Sequence, residues 1–253
     1  VTLLLLPPSE TKRDGGEPRS RLALSRLGFP VLTELRASML DQLAAVSVDD
    51  ETGARALRIS ARAAAVELER NRRVRHSATL PAIERYTGVL YDALSVEAWS
   101  DDARRRAADH VVIQSALFGL LRADDPIPAY RLSHDSRLPD VRIVRHWADS
   151  VARILARHHG PLLDLRSEAY SALGPVPERD DARFVRVVAV GDDGVTRALS
   201  HANKSAKGRY LHSLLESGPL PTTLDGLVAR SADLGWTLQP GATGELDLVV
   251  PQA

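Results

Sequence analysis

The chain has 253 residues, 44% of them hydrophobic and 26% charged, and its 33 basic residues are balanced by 33 acidic ones. Zero formal charge excludes whole-molecule attraction to nucleic acid or to an anionic membrane, so any anion binding must be local. The absence of cysteine excludes disulfides, thiolate nucleophiles and cysteine-held zinc or iron–sulfur sites.

Residues 2–6 are a continuous apolar run ended by Pro7-Pro8, the pattern of a buried strand that delivers a loop. The run is too short for a signal peptide or a membrane span, so a cytoplasmic protein is expected. The loop Ser9-Glu10-Thr11-Lys12-Arg13-Asp14-Gly15-Gly16 is polar and glycine-rich, suited either to a binding site or to a plain surface turn. Pro30 opens a helix reaching Leu43, and Ala54, Leu57, Ala61, Ala64, Ala65 and Leu68 space out as the apolar face of a second. The cluster Arg70, Arg72, Arg73, Arg75 lacks interleaved aromatics and reads as a solvated face.

Gly88, within Tyr86-Thr87-Gly88-Val89, suggests backbone brought close to a ligand or another element. Ser100 begins a short helix ending near Ala108. Residues 110–121 are the most apolar stretch, a candidate central strand turning at Gly119. Its exit at Arg122, followed by a proline-punctuated loop to Tyr130-Arg131, resembles the edge of a pocket. Val144 starts an amphipathic helix with Trp147 in the core, closed by Gly160-Pro161. Residues 162–165 read as a strand, and Ser167 caps the next helix. Residues 184–190 and 195–199 make a β-hairpin around 191–194, residues 222–232 a helix, and residues 236–239 and 246–250 closing strands. With no repeat and no linker, one α/β domain over 1–253 is expected, a mixed sheet surrounded by helices.

Only three of the 33 basic residues are lysines: Lys12, Lys204 and Lys207. Lysine, unlike arginine, is a compact charge that can lose its proton when desolvated. In the helix that follows Asn203, its expected N-cap, Lys204 and Lys207 share a stripe with Leu211, Leu214 and Leu215, so both are predicted to point inward toward a cleft. Arg209 and His212 take the opposite face. An ordinary amphipathic helix with snorkelling lysines is the bland alternative. His158-His159 face different ways on a helix and no His-Glu-x-x-His pair occurs, so no metal is expected. No nucleophile elbow, phosphate loop or dinucleotide fingerprint is present, and no cofactor is expected. Ser9, Lys12, Tyr86, Gly88, Arg122, Tyr130, Arg131, Lys204, Lys207 and Gly208 remain as candidates to line a positive cleft for an anion.

The ordered set Pro7-Pro8-Ser9-Glu10-Thr11-Lys12, Tyr86-Thr87-Gly88-Val89, Ser115-Ala116-Leu117-Phe118-Gly119-Leu120-Leu121-Arg122, Tyr130-Arg131-Leu132, His146-Trp147-Ala148-Asp149, Asp164-Leu165-Arg166-Ser167-Glu168-Ala169-Tyr170 and Lys204-Ser205-Ala206-Lys207-Gly208 resembles the YaaA family of peroxide-stress resistance proteins. The resemblance covers nearly the whole chain. It implies a cytosolic protein that limits peroxide damage by keeping free iron low, a compact α/β fold with a positive cleft, and double-stranded DNA binding through a helix–hairpin–helix-like element. That element is placed at residues 117–131. Glu10 stands where family members often carry lysine, and Ser205 where some carry a second one. Both departures weaken duplex binding more than small-anion binding, because DNA affinity follows the number of phosphates neutralised. Two readings stay open: a stress-response protein whose anion cleft engages DNA, and an enzyme acting on a small phosphorylated or carboxylated metabolite through Lys204 or Lys207 and Tyr86 or Tyr130. A monomer is expected in either case.

Overall fold

Four successive leucines make β1 (Leu3–Leu6), and all four are buried although alternate side chains of a strand point to opposite faces. Both faces of the sheet are therefore covered at β1, as in parallel sheets generally. The computed structural model describes residues 1–190, 196–198 and 202–251. After β1 come α1 (Thr33–Val46), α2 (Asp50–Leu57), α3 (Ala61–Arg72), β2 (Leu80–Pro81), α4 (Ala82–Arg85), α5 (Val89–Leu94) and α6 (Asp101–His110). The chain continues through β3 (Val111–Ser115), β4 (Gly119–Arg122), β5 (Pro126–Ile127), α7 (Ile143–Ala156), β6 (Leu162–Asp164) and α8 (Glu168–Ser171). It closes with β7 (Ala182–Val190), β8 (Thr196–Ala198), α9 (Ala202–Glu216), α10 (Leu224–Asp233), β9 (Thr237–Pro240) and β10 (Glu245–Val250).

The fold is α/β. The main sheet runs β4-β3-β1-β6-β7-β10-β9, with β8 added antiparallel to β7, and β2 pairs with β5 apart from it. β3, β1, β6, β7 and β10 are mutually parallel, while β4 and β9 are antiparallel edges. β10 shows simple alternation, Leu246, Leu248 and Val250 being buried. Connections from β1 lead toward β3, whereas those from β6 lead toward β7. The loops leaving β1 and β6 thus diverge, and a crevice opens between their carboxyl ends, the place where open α/β sheets bind ligands.

Caps and breakers explain most element limits. Asp49, Ser60, Ser100, Ser167 and Thr223 each accept a backbone N–H from the first turn of α2, α3, α6, α8 and α10. The single helix expected over 54–68 is two, because Arg58 takes a left-handed conformation (φ 54°) between α2 and α3. The apolar stretch 110–121 holds a strand that turns close to Gly119, as expected. It is the end of α6 followed by the β3–β4 hairpin, whose turn lies at residues 116–118. Gly119 (φ 66°) sits where a Cβ would come within 2.7 Å of the Trp147 ring, and Trp147 itself donates its indole N–H to Ala116 O at 2.8 Å. The two strands of the predicted hairpin are present as β7 and β8, and its connection at 191–194 lies outside the described residues.

Candidate functional site

The crevice holds a cleft of about 460 Å³. One wall is the loop after β1, from Pro7 to Thr11, together with Gly88 and α5. The opposite wall carries Leu165, Ser167 and Tyr170 after β6, His134, and Asn203, Lys204 and Lys207 from α9. Two prolines end β1 because neither can donate to the ladder, so the chain leaves the sheet at its carboxyl end.

The two ends of the α9 stripe differ. Lys207 is 4% exposed and donates to Leu165 O (3.1 Å) and Arg166 O (3.4 Å), while Lys204 is an exposed residue at the rim. Both therefore line the cleft, but only Lys207 is buried: burial fades toward the start of α9. Asn203 lies in the first turn, since α9 already begins at Ala202. Burial pushes the Lys207 ammonium down to about 8, against the opposing effect of Asp164. Among the described residues no carboxylate lies within 4 Å of its Nζ.

Lys12 sits behind the loop rather than in the cleft. Its Nζ donates to Ser9 O (2.9 Å) and Glu10 O (3.2 Å) and stands 4.2 Å from the centre of the Tyr130 ring. Burial first, and then the Arg131 guanidinium, push it down to about 7. Tyr86 and Tyr130 are buried beside it in a chain of hydroxyls. Ser115 Oγ accepts from the backbone N–H groups of Leu117 and Phe118, so its own hydrogen goes to Tyr130 Oη at 2.7 Å, and the Tyr130 and Tyr86 hydroxyls share a further hydrogen bond of 2.7 Å. Burial raises both phenols.

Other expected residues are placed elsewhere or employed otherwise. Arg131 donates to Glu10 Oε2 at 2.7 Å, tying the loop down. Gly208 faces α5, where a Cβ would meet Leu90 O at 2.3 Å, so its role is helix packing. Arg122 lies at the other end of the sheet, because β4 runs antiparallel to β3. It lines a separate cavity of about 640 Å³ with Phe29 and His158. Residues 117–131 contain β4, β5 and loops and no helix, and most of their side chains are buried. The helix–hairpin–helix-like element placed there is not present. The apolarity of the segment, which suits strands and core, is the physical reason.

Sequence reasoning did not assign three features to the site, although two of them lie in the motif 164–170. Asp164 and Arg166 form a buried bidentate ion pair (2.8 and 2.6 Å) under the β6 loop, joined by Ser171 Oγ and by Gln114 Oε1. Charges bounding the apolar Leu162-Leu163 were the available signal. Tyr170, raised by burial to about 12, and His134 pack together at 5.0 Å on the cleft wall, and no local pattern marks His134. Among the described residues no group of three or more His, Asp or Glu is placed to hold a metal ion.

A family model described as peroxide stress protein YaaA matches residues 2–239. The chain belongs to the YaaA family. A UPF0246 protein of Corynebacterium efficiens is 40% identical over 256 residues, covering 98% of this chain and all of that protein. A UPF0246 protein of Streptomyces coelicolor is 36% identical over 243 residues, 95% of this chain and 93% of its own length. More distant UPF0246 proteins, such as that of Lactobacillus delbrueckii at 29% identity, match over 66% of the chain. This YaaA family member is thus related to proteins of peroxide stress along almost its whole length. None of its described helices is long and apolar enough to cross a membrane.

Proposed function

We propose that this protein acts in the cytoplasm during peroxide stress by binding a small anionic ligand in the cleft between the β1 and β6 loops. Its effect on free iron runs through that ligand rather than through iron held by the chain. One observation carries the reading: Lys207 is a buried cation on the cleft wall with no described carboxylate within 4 Å, the nearby Asp164 being paired with Arg166. A buried charge without a counter-ion is costly, and a bound anion removes the cost. The expected test is complementation of a strain lacking its own family member. Wild type restores survival of hydrogen peroxide and lowers chelatable iron read by electron paramagnetic resonance, whereas Lys207→Met at equal protein level does neither. Full rescue by Lys207→Met would overturn the reading.

An enzymatic version of the same site is favoured by the lowered Lys207, since an amine titrating near 8 is suited to act as a general base on the ligand. Tyr86 and Tyr130 support it less, being bonded to each other away from the cleft lining. Duplex DNA is the less supported ligand. Several arginines are already paired with carboxylates, among them Arg70 with Asp14 and Glu67 and Arg75 with Asp41, and the equal number of acidic residues leaves no net positive charge to hold a polyphosphate backbone.

A further inference from the structure

The Ser9–Glu10–Thr11 loop has an orientation that the small-anion reading does not require. Lys12 Nζ takes the carbonyls of Ser9 and Glu10 from behind. In a trans peptide the C=O and the following N–H point in opposite directions, and the chain has no cis bond among its described residues. The N–H groups of Glu10 and Thr11 therefore point away from Lys12. The loop lines the cleft and Lys12 does not, so away from Lys12 is toward the cleft. Neither N–H donates to any described residue. A cation bonded to the carbonyl side polarises each peptide and makes its N–H a stronger donor.

Three neighbours suit a doubly charged oxyanion at this place. Thr11 donates its one hydroxyl hydrogen to Thr87 O at 3.2 Å, so the Ser9 hydroxyl, 3.3 Å from Thr11 Oγ1, is the one that can turn to a ligand. Gly88 leaves room beside it, where a Cβ would lie 3.2 Å from Thr11 Oγ1 and 3.3 Å from Ser9 Oγ. Glu10, the carboxylate of the loop, is drawn off by Arg131 and does not stand alone against an anion. Lys207 and Lys204 on the opposite wall supply two positive charges. A carboxylate would leave part of this field unanswered, whereas a phosphate dianion matches it. The cleft also continues past the loop along Leu90, Tyr91 and Leu165, an apolar wall with room for an organic group.

We propose that the cleft takes a phosphate monoester, its phosphoryl oxygens held by the peptide N–H groups of Glu10 and Thr11 and the hydroxyl of Ser9, and its ester group lying on the Leu90–Leu165 side. The proposal rests on the small-anion reading and names the chemical class of its ligand. The test is a nitrogen-15 amide titration of the full chain with phenyl phosphate, inorganic phosphate and phenylacetate at constant ionic strength. Phenyl phosphate is expected to shift the Glu10 and Thr11 amides saturably and to bind at least tenfold more tightly than either other probe. Lys207→Met is expected to weaken it tenfold or more, and Ser9→Ala severalfold with the amide spectrum otherwise preserved. Saturable binding that leaves both loop amides unmoved, or phenylacetate bound as tightly, overturns the phosphate site while the small-anion cleft stands. Inorganic phosphate bound as tightly as the ester assigns the loop to free phosphate and overturns the monoester. Failure of all three probes to bind overturns both readings.

Discussion

Lys12 and Lys207 tie the stability of the protein to pH. Folded Lys12 loses its proton near 7 and folded Lys207 near 8, both against 10.5 for an unperturbed lysine. Between those values the unfolded chain holds more protons, so stability rises with pH, by up to about 1.4 kcal/mol per pH unit for each group. The gain is complete above the unfolded pKa and is lost as pH falls through the folded one. Urea midpoints at pH 6.5 and 9 should show this rise in wild type and a smaller rise in Lys12→Met; equal slopes would remove Lys12 as its source. Ligand binding runs the other way. It should weaken above about pH 8 as Lys207 loses the charge that attracts the anion, which a titration of affinity against pH will read. The Asp164–Arg166 pair is a third residue-scale case, since Arg166 is fully buried. Asp164→Asn leaves an unanswered guanidinium and is expected to cost about 3–5 kcal/mol in denaturant unfolding.

At the scale of elements, the site depends on how closely α9 approaches α5. Gly208 permits that approach, because a Cβ there would stand 2.3 Å from Leu90 O and 2.8 Å from the Ala93 side chain. Two effects oppose each other in Gly208→Ala. Helix propensity favours alanine by about 1 kcal/mol, but overpacking against a backbone carbonyl that cannot rotate away costs about 1–3 kcal/mol. The clash is expected to win. The variant should unfold at lower denaturant and bind anions more weakly, because α9 carries Lys207 into the cleft; an unchanged midpoint would mean that the helices separate without penalty. Arg58 shows the same logic at a helix end. Its left-handed backbone strains a residue with a Cβ, and its ion pair with Asp135 (3.1 Å) is half-exposed and weak. Arg58→Gly should therefore be neutral or stabilising by a few tenths of a kcal/mol.

For the whole molecule, zero net charge predicts little affinity for duplex DNA. Fluorescence anisotropy with a labelled duplex at two salt concentrations should show weak binding that vanishes at the higher one. Tight, salt-steep binding lost in Lys207→Met would instead return the cleft to nucleic acid. The sheet order explains why such a cleft exists at all. β1 and β6 are neighbours whose following loops diverge, so the chain makes a crevice at their carboxyl ends before any side chain is chosen.

The sequence by itself determined the α/β class, the strand character of residues 2–6 and 162–165, the Ser100, Ser167 and Trp147 assignments, and the inward face of Lys207. These follow from local pattern: continuous apolarity, a capping hydroxyl, a period near 3.6. The turn near Gly119 was also legible, from the glycine in an apolar run, whereas the split at Arg58 was not, because apolar periodicity runs through it. Only the tertiary structure decided that Lys12 backs the loop instead of facing the cleft, that Arg122 lies at the far end of the sheet, and that Glu10 belongs to Arg131. Each depends on pairing between residues far apart in the chain, Glu10 and Arg131 being 121 positions apart. No local pattern carries such a distance; it is fixed when strands order themselves and loops meet.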